Sequence, residues 1–128
     1  MQFIIKDDTL TISLEGAEQF WALKRKLVVP KVNIVRATWQ EDAVIPRREL
    51  GWRFPGSFLP GLLLAGRFIG RRGSNFVYIL RPQGLFGDIK INHLLTLELR
   101  NSGYKRLLFT INKPEMAEQI IAWWSSNV

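Results

Sequence analysis

Hydrophobic and polar residues alternate along most of this chain, which is the pattern of β-strands with one buried face. Seven runs predict such strands: residues 3–6, 10–14, 33–40, 62–69, 75–80, 94–100 and 107–111. Two shorter runs, 27–30 and 89–92, are also strand-like. The alternation falls out of step within 33–40, which predicts a bulge or an edge position for that strand. The pattern as a whole predicts a mainly β protein.

Apolar residues recur at helical spacing in two other stretches. Residues 15–24 predict a short early helix. Pro114 begins the second stretch, in which Met116, Ile120 and Trp124 lie on one stripe. A helix of this length is not stable alone, so we expect it to dock on the strands and cap one end of a sandwich or small barrel.

The longest stretch without clear periodicity is 41–60, which contains several prolines and glycines. Such residues predict a long connection between strands. Connections of this length are uncommon in compact domains unless they are functional or packed by their own side chains. The bulky Trp52, Phe54 and Phe58 favour packing.

The composition is that of a single globular domain, which we assign to residues 1–128. Nearly half of the residues are apolar, and the chain has no cysteine, so disulfides, thiolate metal sites and cysteine catalysis are excluded. The first residues show no signal-peptide pattern, and the most apolar window, 58–65, is far shorter than a membrane span. We therefore expect a cytoplasmic protein.

Residues with catalytic or metal-binding chemistry are few. His93 is the only histidine, so no histidine pair is available to a metal, and we predict neither a metal site nor a cofactor. A lone histidine beside a strand is usually a surface or capping residue. No Gly-x-Ser-x-Gly nucleophile motif is present. We therefore expect a protein that is not an enzyme.

Four short motifs lie in turns and on strand faces. They are Leu59-Pro60-Gly61 before the strand with Gly66 and Phe68, Asn75-Phe76-Val77-Tyr78 on its partner, Tyr104-Lys105-Arg106-Leu107, and Lys113-Pro114-Glu115 at the helix start. Together they resemble the bacterial pleckstrin-homology-like (PH-like) family of small uncharacterised proteins. The resemblance spans nearly the whole chain. It implies a PH-like barrel or sandwich of about seven antiparallel strands, with a short early helix and a C-terminal capping α-helix.

PH-like domains are typically binding modules for lipids, peptides or other proteins, so the resemblance implies a non-enzymatic binding module. Members that bind phosphoinositides carry basic residues in the turn between their first two strands. The corresponding turn here is Asp7-Asp8. Its acidic character argues against that ligand in that pocket.

The chain is basic, with a formal net charge of +7, and all but one of its Lys and Arg residues lie between positions 19 and 113. A positive field favours anionic partners such as acidic lipid or nucleic acid. Three groups in predicted turns and loops are candidates for binding an anion: Lys24, Arg25 and Lys26; Arg47, Arg48 and Arg53; and Arg71 and Arg72. These groups form a site only if the fold gathers them on one side of the protein. If they are scattered over the surface, they only make the protein more soluble.

These observations leave two functions open. The first is a PH-like module that contacts a protein partner or, weakly, an acidic membrane surface, where the protein would be peripheral. The second, ranked lower, is a small β-barrel that binds nucleic acid, which requires aromatic side chains among the basic ones on a strand face. Self-association through the edge strand 33–40 would make the protein a homo-oligomer.

Overall fold

The computed structural model describes residues 2–14, 26–46, 52–59, 63–70, 73–84 and 88–126, with the backbone alone for 52–59. The early helix expected over residues 15–24 lies outside the described residues. Within the described ranges, every helix falls short of the length and hydrophobicity that a bilayer-spanning helix needs.

Strands dominate these residues, and one helix follows them. In chain order the elements are β1 (Gln2–Lys6), β2 (Thr9–Ser13), β3 (Lys26–Pro30), β4 (Ile34–Pro46), β5 (Trp52–Leu59), β6 (Leu63–Gly70), β7 (Gly73–Leu80), β8 (Asp88–Leu99), β9 (Arg106–Thr110) and α1 (Pro114–Ser125). A 3₁₀ turn at Lys31–Asn33 links β3 to β4. The mainly β character and the C-terminal helix are therefore confirmed.

The strands form two open sheets. β1, β2 and β3 make an antiparallel three-stranded sheet in that order. The other six strands make a second sheet with the order β4-β8-β9-β7-β6-β5, in which only the β7–β9 pair is parallel. A sandwich-like arrangement is thus confirmed. The expectation of about seven strands, all antiparallel, is wrong, and no pairing among the described strands closes a barrel.

The parallel pair follows from the position of β9. β8 and β9 pair as an antiparallel hairpin, and β9 lies between β8 and β7. Because β7 and β8 run in opposite directions, a strand between them must be parallel to one of them. Alternation along a strand cannot reveal this order, since it reports which face of the strand is buried and not which strand lies beside it.

The first core lies between the two sheets and beneath α1. Its members alternate along the strands, as Leu10 and Ile12 do on β2. The six-stranded sheet and the helix add Phe76, Leu95, Leu97, Leu107, Phe109, Ala117 and Ile120, among others. The Phe109 ring meets Phe3 edge-on, with centroids 5.7 Å apart. This geometry, which aromatic pairs favour, joins the two sheets.

A second core covers the opposite face of the six-stranded sheet. That face supplies Leu64, Phe68, Val77, Ile79, Leu94 and Leu108, and the far ends of β4 and β8 supply Ala43, Ile45, Ile89 and Ile91. The sheet is therefore buried on both faces.

β4 and β8 form a two-stranded ribbon, and side chains on one face of this ribbon enter both cores. The cross-strand partners Ala37 and Leu97 lie in the first core, whereas Ala43 and Ile91, partners on the same side, lie in the second. Side chains on one side of a straight ribbon would face a single core, so the ribbon turns between these pairs. His93 lies at that point with a left-handed φ of 59°.

β4 is the outermost strand of the six-stranded sheet, and its register against β8 shifts between Ile34 and Arg36. The predicted edge position and bulge are both confirmed. The extra residue explains why Ile34 and Ala37 are both buried although they are three positions apart.

The long connection expected over 41–60 is wrong for most of that stretch. β4 continues to Pro46, because its second half pairs with the beginning of β8. β5 then spans Trp52–Leu59 and pairs with β6. The prolines are tolerated since β4 and β5 are outermost strands, Pro46 ends its strand and Pro55 falls within a register irregularity.

Two tryptophans fasten the C-terminal end of α1 to the strands. Trp123 Nε1 donates to the Asp7 carbonyl at 2.9 Å, and Trp124 Nε1 donates to the Ile34 carbonyl at 3.0 Å. Lys31 Nζ lies 5.7 Å from the centroid of the Trp123 ring. The helix therefore docks through its apolar stripe and through two indole N–H groups, each with an acceptor on a different part of the sandwich.

Replacing Trp124 with Phe tests this anchoring. The change removes the indole N–H and leaves the Ile34 carbonyl without this donor, so we expect the free energy of unfolding to fall by about 1–3 kcal/mol. Urea unfolding followed by far-UV circular dichroism measures the loss. Gln119→Ala, an exposed change on the same helix, serves as control and should stay within about 0.5 kcal/mol of the parent. Equal effects of the two changes would contradict the anchoring role.

Candidate functional site

Six of the eight basic residues predicted to bind an anion lie outside the described residues: Lys24, Arg25, Arg47, Arg48, Arg71 and Arg72. Lys26 begins β3 and is exposed. Arg53 is placed on β5, where it pairs with Phe68. These two basic residues therefore lie on different sheets.

The register of the six-stranded sheet places Arg53 in one cross-strand row with other charged residues. Successive register partners from β4 to β5 are Arg36, Glu98, Arg106, Asn75, Phe68 and Arg53. Arg36 Nε lies 3.5 Å from Glu98 Oε2, and Arg106 Nε donates to Asn75 Oδ1 at 3.1 Å. Glu98 is thus placed between two arginines. Sequence reasoning missed this row because only the strand register brings its members together.

The outer face of the three-stranded sheet surrounds Lys26 with apolar and small polar side chains. The register places Ile4, Thr11 and Val28 in one row across the sheet, with Lys26 in the row on one side and Lys6 in the row on the other. Ile4 and Val28 are 48% and 55% exposed. This face therefore has an apolar centre with a lysine on each flank.

A groove of about 450 Å³ opens where β1 meets the ends of β7 and β9 and the start of α1. Most of its described lining is apolar or aromatic: Phe3, Ile4, Tyr78, Leu80, Ile111 and Met116. The polar lining residues are Gln2, Thr110, Asn112 and Lys113.

The groove exists because β7 and β9 are parallel neighbours. Parallel strands end at the same edge of a sheet, so Leu80 and Thr110 lie together although they are 30 positions apart. The Leu80 N–H donates to Thr110 Oγ1 at 3.1 Å, which ties the two strand ends together. Phe3 of β1 packs against Phe109, and this contact brings β1 to the other side of the groove.

The chemistry of the groove is that of a binding site for apolar groups. Ile4 and Leu80 contribute side chains that are 48% and 42% exposed. Among the described lining residues, Lys113 carries the single charge, and none offers a carboxylate, an imidazole or a thiol as a base or nucleophile. The lining can therefore bury apolar groups and attract a negative one.

Sequence reasoning missed this groove because its residues come from three stretches that are distant in the chain, 2–4, 78–80 and 110–116. The sequence contains one sign of the groove. Phe76, Tyr78 and Leu80 continue a single alternating pattern, and the structure buries the first two but leaves Leu80 partly exposed. An apolar residue that extends an alternating pattern beyond the core is a candidate for a surface concavity.

His93, expected to be a surface or capping residue, lies partly buried at the turn of the β4–β8 ribbon. Its ring stacks on Trp39, with centroids 5.7 Å apart. His93 Nδ1 and Trp39 Nε1 are both buried without a hydrogen-bond partner. Within the described ranges, no cluster of three or more His, Asp or Glu residues could hold a metal ion. His93 therefore contributes packing at the turn.

Comparison with protein-family models, curated proteins and solved structures gives no match to this chain. The residues of the groove and of the two sheet faces are therefore the grounds for assigning a function.

Tyr104, in the β8–β9 connection, carries a perturbed ionisable group. Its ring meets Phe76 edge-on, with centroids 5.6 Å apart. Burial raises the pKa of the Tyr104 hydroxyl above its ordinary value of 10.0, and the positive charge of Arg67 lowers the pKa in part. The folded state therefore favours the neutral phenol.

This perturbation predicts a pH dependence of stability. The contribution of Tyr104 is fully present below pH 10 and is lost as the pH rises through the raised pKa of the folded state, because the unfolded tyrosine ionises first. In Tyr104→Phe this loss is absent, so the stability difference between the two proteins should change only above pH 10. Urea unfolding of both proteins between about pH 8 and about pH 11 measures this stability difference. Lysine side chains also titrate in this range, but both proteins contain the same lysines, so their contribution cancels in the difference. A difference that stays constant would contradict the burial of the hydroxyl.

Proposed function

We propose that this chain is a non-enzymatic, PH-like binding module that holds a short apolar segment of a partner protein in the groove beside β1. The observation that carries the proposal is the groove, an open concavity with six apolar or aromatic lining side chains. Apolar concavities with a few polar groups are typical of binding sites.

The position of β1 favours an extended segment. Gln2, Phe3 and Ile4 all line the groove, although neighbouring side chains of a strand point to opposite faces. The groove therefore follows the edge of β1, which is an outermost strand of its sheet. A segment that adds to this edge as a further strand gains main-chain hydrogen bonds while its alternate side chains enter the groove.

The charges around the groove favour an acidic segment. Lys113 lines the groove, and the exposed Arg81 directly follows Leu80. The whole chain carries a net charge of +7, which speeds encounter with an anionic partner. A segment in which apolar and acidic residues alternate fits both the lining and the charge.

Two features support the remaining parts of the proposal. The described lining of the groove lacks a carboxylate, an imidazole and a thiol, which supports a binding role over an enzymatic one. Two sheets that enclose a core, with a C-terminal helix docked on them, are compatible with the PH-like resemblance. We place this module in the cytoplasm.

Titration with short blocked peptides tests the proposal. A peptide of alternating leucine and glutamate should shift the amide resonances of Phe3, Ile4, Leu80 and Met116 in isotope-labelled protein, in a saturable way. A peptide with lysine in place of glutamate should bind at least several-fold more weakly, because Lys113 and Arg81 repel it. A peptide with serine in place of leucine should not bind.

Matched variants locate the binding. The double change Ile4→Gln and Leu80→Gln should remove the saturable shifts, whereas Val32→Gln, which replaces a 71% exposed valine away from the groove, should leave them intact. Shifts that map elsewhere, or equal binding of the acidic and basic peptides, would overturn the proposal.

The outer face of the three-stranded sheet favours a second candidate function, weak contact with an acidic membrane surface. Lys6 and Lys26 flank the exposed Ile4 and Val28 on this face. Lysines near an anionic surface contribute about 1 kcal/mol each, and aliphatic side chains between them can enter the headgroup region. The protein would then be peripheral at the membrane.

Co-sedimentation with vesicles tests this second function. The parent should pellet with vesicles that contain phosphatidylserine, not with neutral ones, and less so at high salt. The double change Lys6→Ala and Lys26→Ala should weaken binding about tenfold or more. The control pair Lys90→Ala and Lys105→Ala removes the same charge from other exposed positions. An equal loss in the control would show unspecific charge attraction and reject the face.

Binding of nucleic acid ranks below both candidates. Stacking on single-stranded nucleic acid uses exposed aromatic side chains among basic ones. Among the side chains that the structure describes, which exclude those of 52–59, the exposed large apolar ones are all aliphatic, for example Ile4, Val28 and Val32.

A further inference from the structure

β4 exposes a long edge of the six-stranded sheet. The strand is 13 residues long, and β8 is its sole strand partner among the described residues. The side chains of Arg36, Thr38, Gln40 and Asp42 are all exposed. A strand edge of this kind presents main-chain N–H and C=O groups to any chain that can pair with it.

Two of the features that blunt an edge strand, a bulge and a proline, lie at the two ends of β4. The register bulge between Ile34 and Arg36 interrupts the strand near its start, and Pro46 ends it. The register between them shows no further shift. The charged residues on this stretch are Arg36, Glu41 and Asp42.

We propose that β4 pairs with β4 of a second copy of this chain, antiparallel and centred on Trp39. In this arrangement Arg36 of each copy lies opposite Asp42 of the other. The two six-stranded sheets then form one continuous sheet across the dimer.

The charge pattern of β4 selects this register. A two-fold axis between antiparallel strands places one residue opposite its own copy, and residues equally far to either side oppose each other. With Trp39 on the axis, Arg36 faces Asp42 of the other copy. With the axis at Arg36, Glu41 or Asp42, a charged residue faces its own copy and like charges repel.

The remaining centres within this stretch, at Ala37, Thr38 and Gln40, place every charged residue of β4 opposite an uncharged one. Trp39 is therefore the one centre between Arg36 and Asp42 that brings opposite charges together. The same centre places Thr38 opposite Gln40 of the other copy.

Both charges are available for such a contact. The Arg36 side chain is 69% exposed even though its Nε lies 3.5 Å from Glu98. Glu98 also has Arg106 as its cross-strand neighbour, so this row of the sheet carries excess positive charge at its β4 end. Asp42 is exposed, and its partner on β8 is the neutral Asn92. A second copy supplies each carboxylate with a guanidinium.

The proposed interface uses none of the residues that line the groove beside β1. The dimer would therefore leave both grooves open. Failure of the dimer and failure of peptide binding are separate experimental results.

Sedimentation equilibrium with charge-reversed variants tests the proposal. The parent should dimerise reversibly, and Arg36→Asp or Asp42→Arg should each raise the dimer dissociation constant about tenfold or more, because each change turns two attractions into two repulsions. The double variant restores opposite charges and should recover the parent constant within about threefold. Asp42→Arg leaves the Arg36–Glu98 contact intact, and urea unfolding checks that each variant folds.

Disulfide trapping tests the register directly, since the chain has no cysteine of its own. A mixture of Thr38→Cys and Gln40→Cys chains should cross-link to a mixed dimer faster than either variant alone, because only these two positions oppose each other. Faster cross-linking of one variant with itself would overturn the register. A parent that stays monomeric up to about 1 mM, or a double variant that does not recover, would overturn the proposal.

Discussion

The six-stranded sheet is apolar on both faces, and the turn in the β4–β8 ribbon is what covers the second one. The far ends of β4 and β8 place Ala43 and Ile91 in one buried cluster with Val77 and Leu108. The turn requires a left-handed φ at His93, which costs a non-glycine residue roughly 1 kcal/mol or more. Burial of several aliphatic side chains, at about 0.8 kcal/mol for each methylene group, offsets that cost.

Alternation along single strands could be predicted from the sequence, and the relations between strands could not. The alternation at Leu95 and Leu97 shows directly which face of their strand is buried, and Pro114 marks the start of the helix. The second half of β4 was missed because Glu41 and Asp42 break the apolar pattern at the turn of the ribbon, where both are exposed. The same turn made residues 89–92 and 94–100 look like two strands, although β8 is continuous through His93.

The candidate site was less predictable than the fold, for a related reason. Basic residues are conspicuous in a sequence, but of the predicted group Lys26 and Arg53 lie on different sheets. The groove instead joins β1 to strand ends that meet only because β9 is inserted beside β7. Composition states what each side chain can do, while register and strand order decide which side chains act together.

The insertion of β9 also constrains how this chain can be made. On a ribosome, β7 and β8 emerge before β9, so β7 can pair with β6 and β8 with β4, but the edge of each that faces β9 stays unpaired until β9 follows. During that interval two long apolar strands have unpaired inner edges, which are open to pairing with other nascent chains. Productive folding therefore has to wait for the C-terminal quarter of the chain. A polypeptide that stops short of Arg106 would be a substrate for chaperones or proteases and not a smaller version of the same domain.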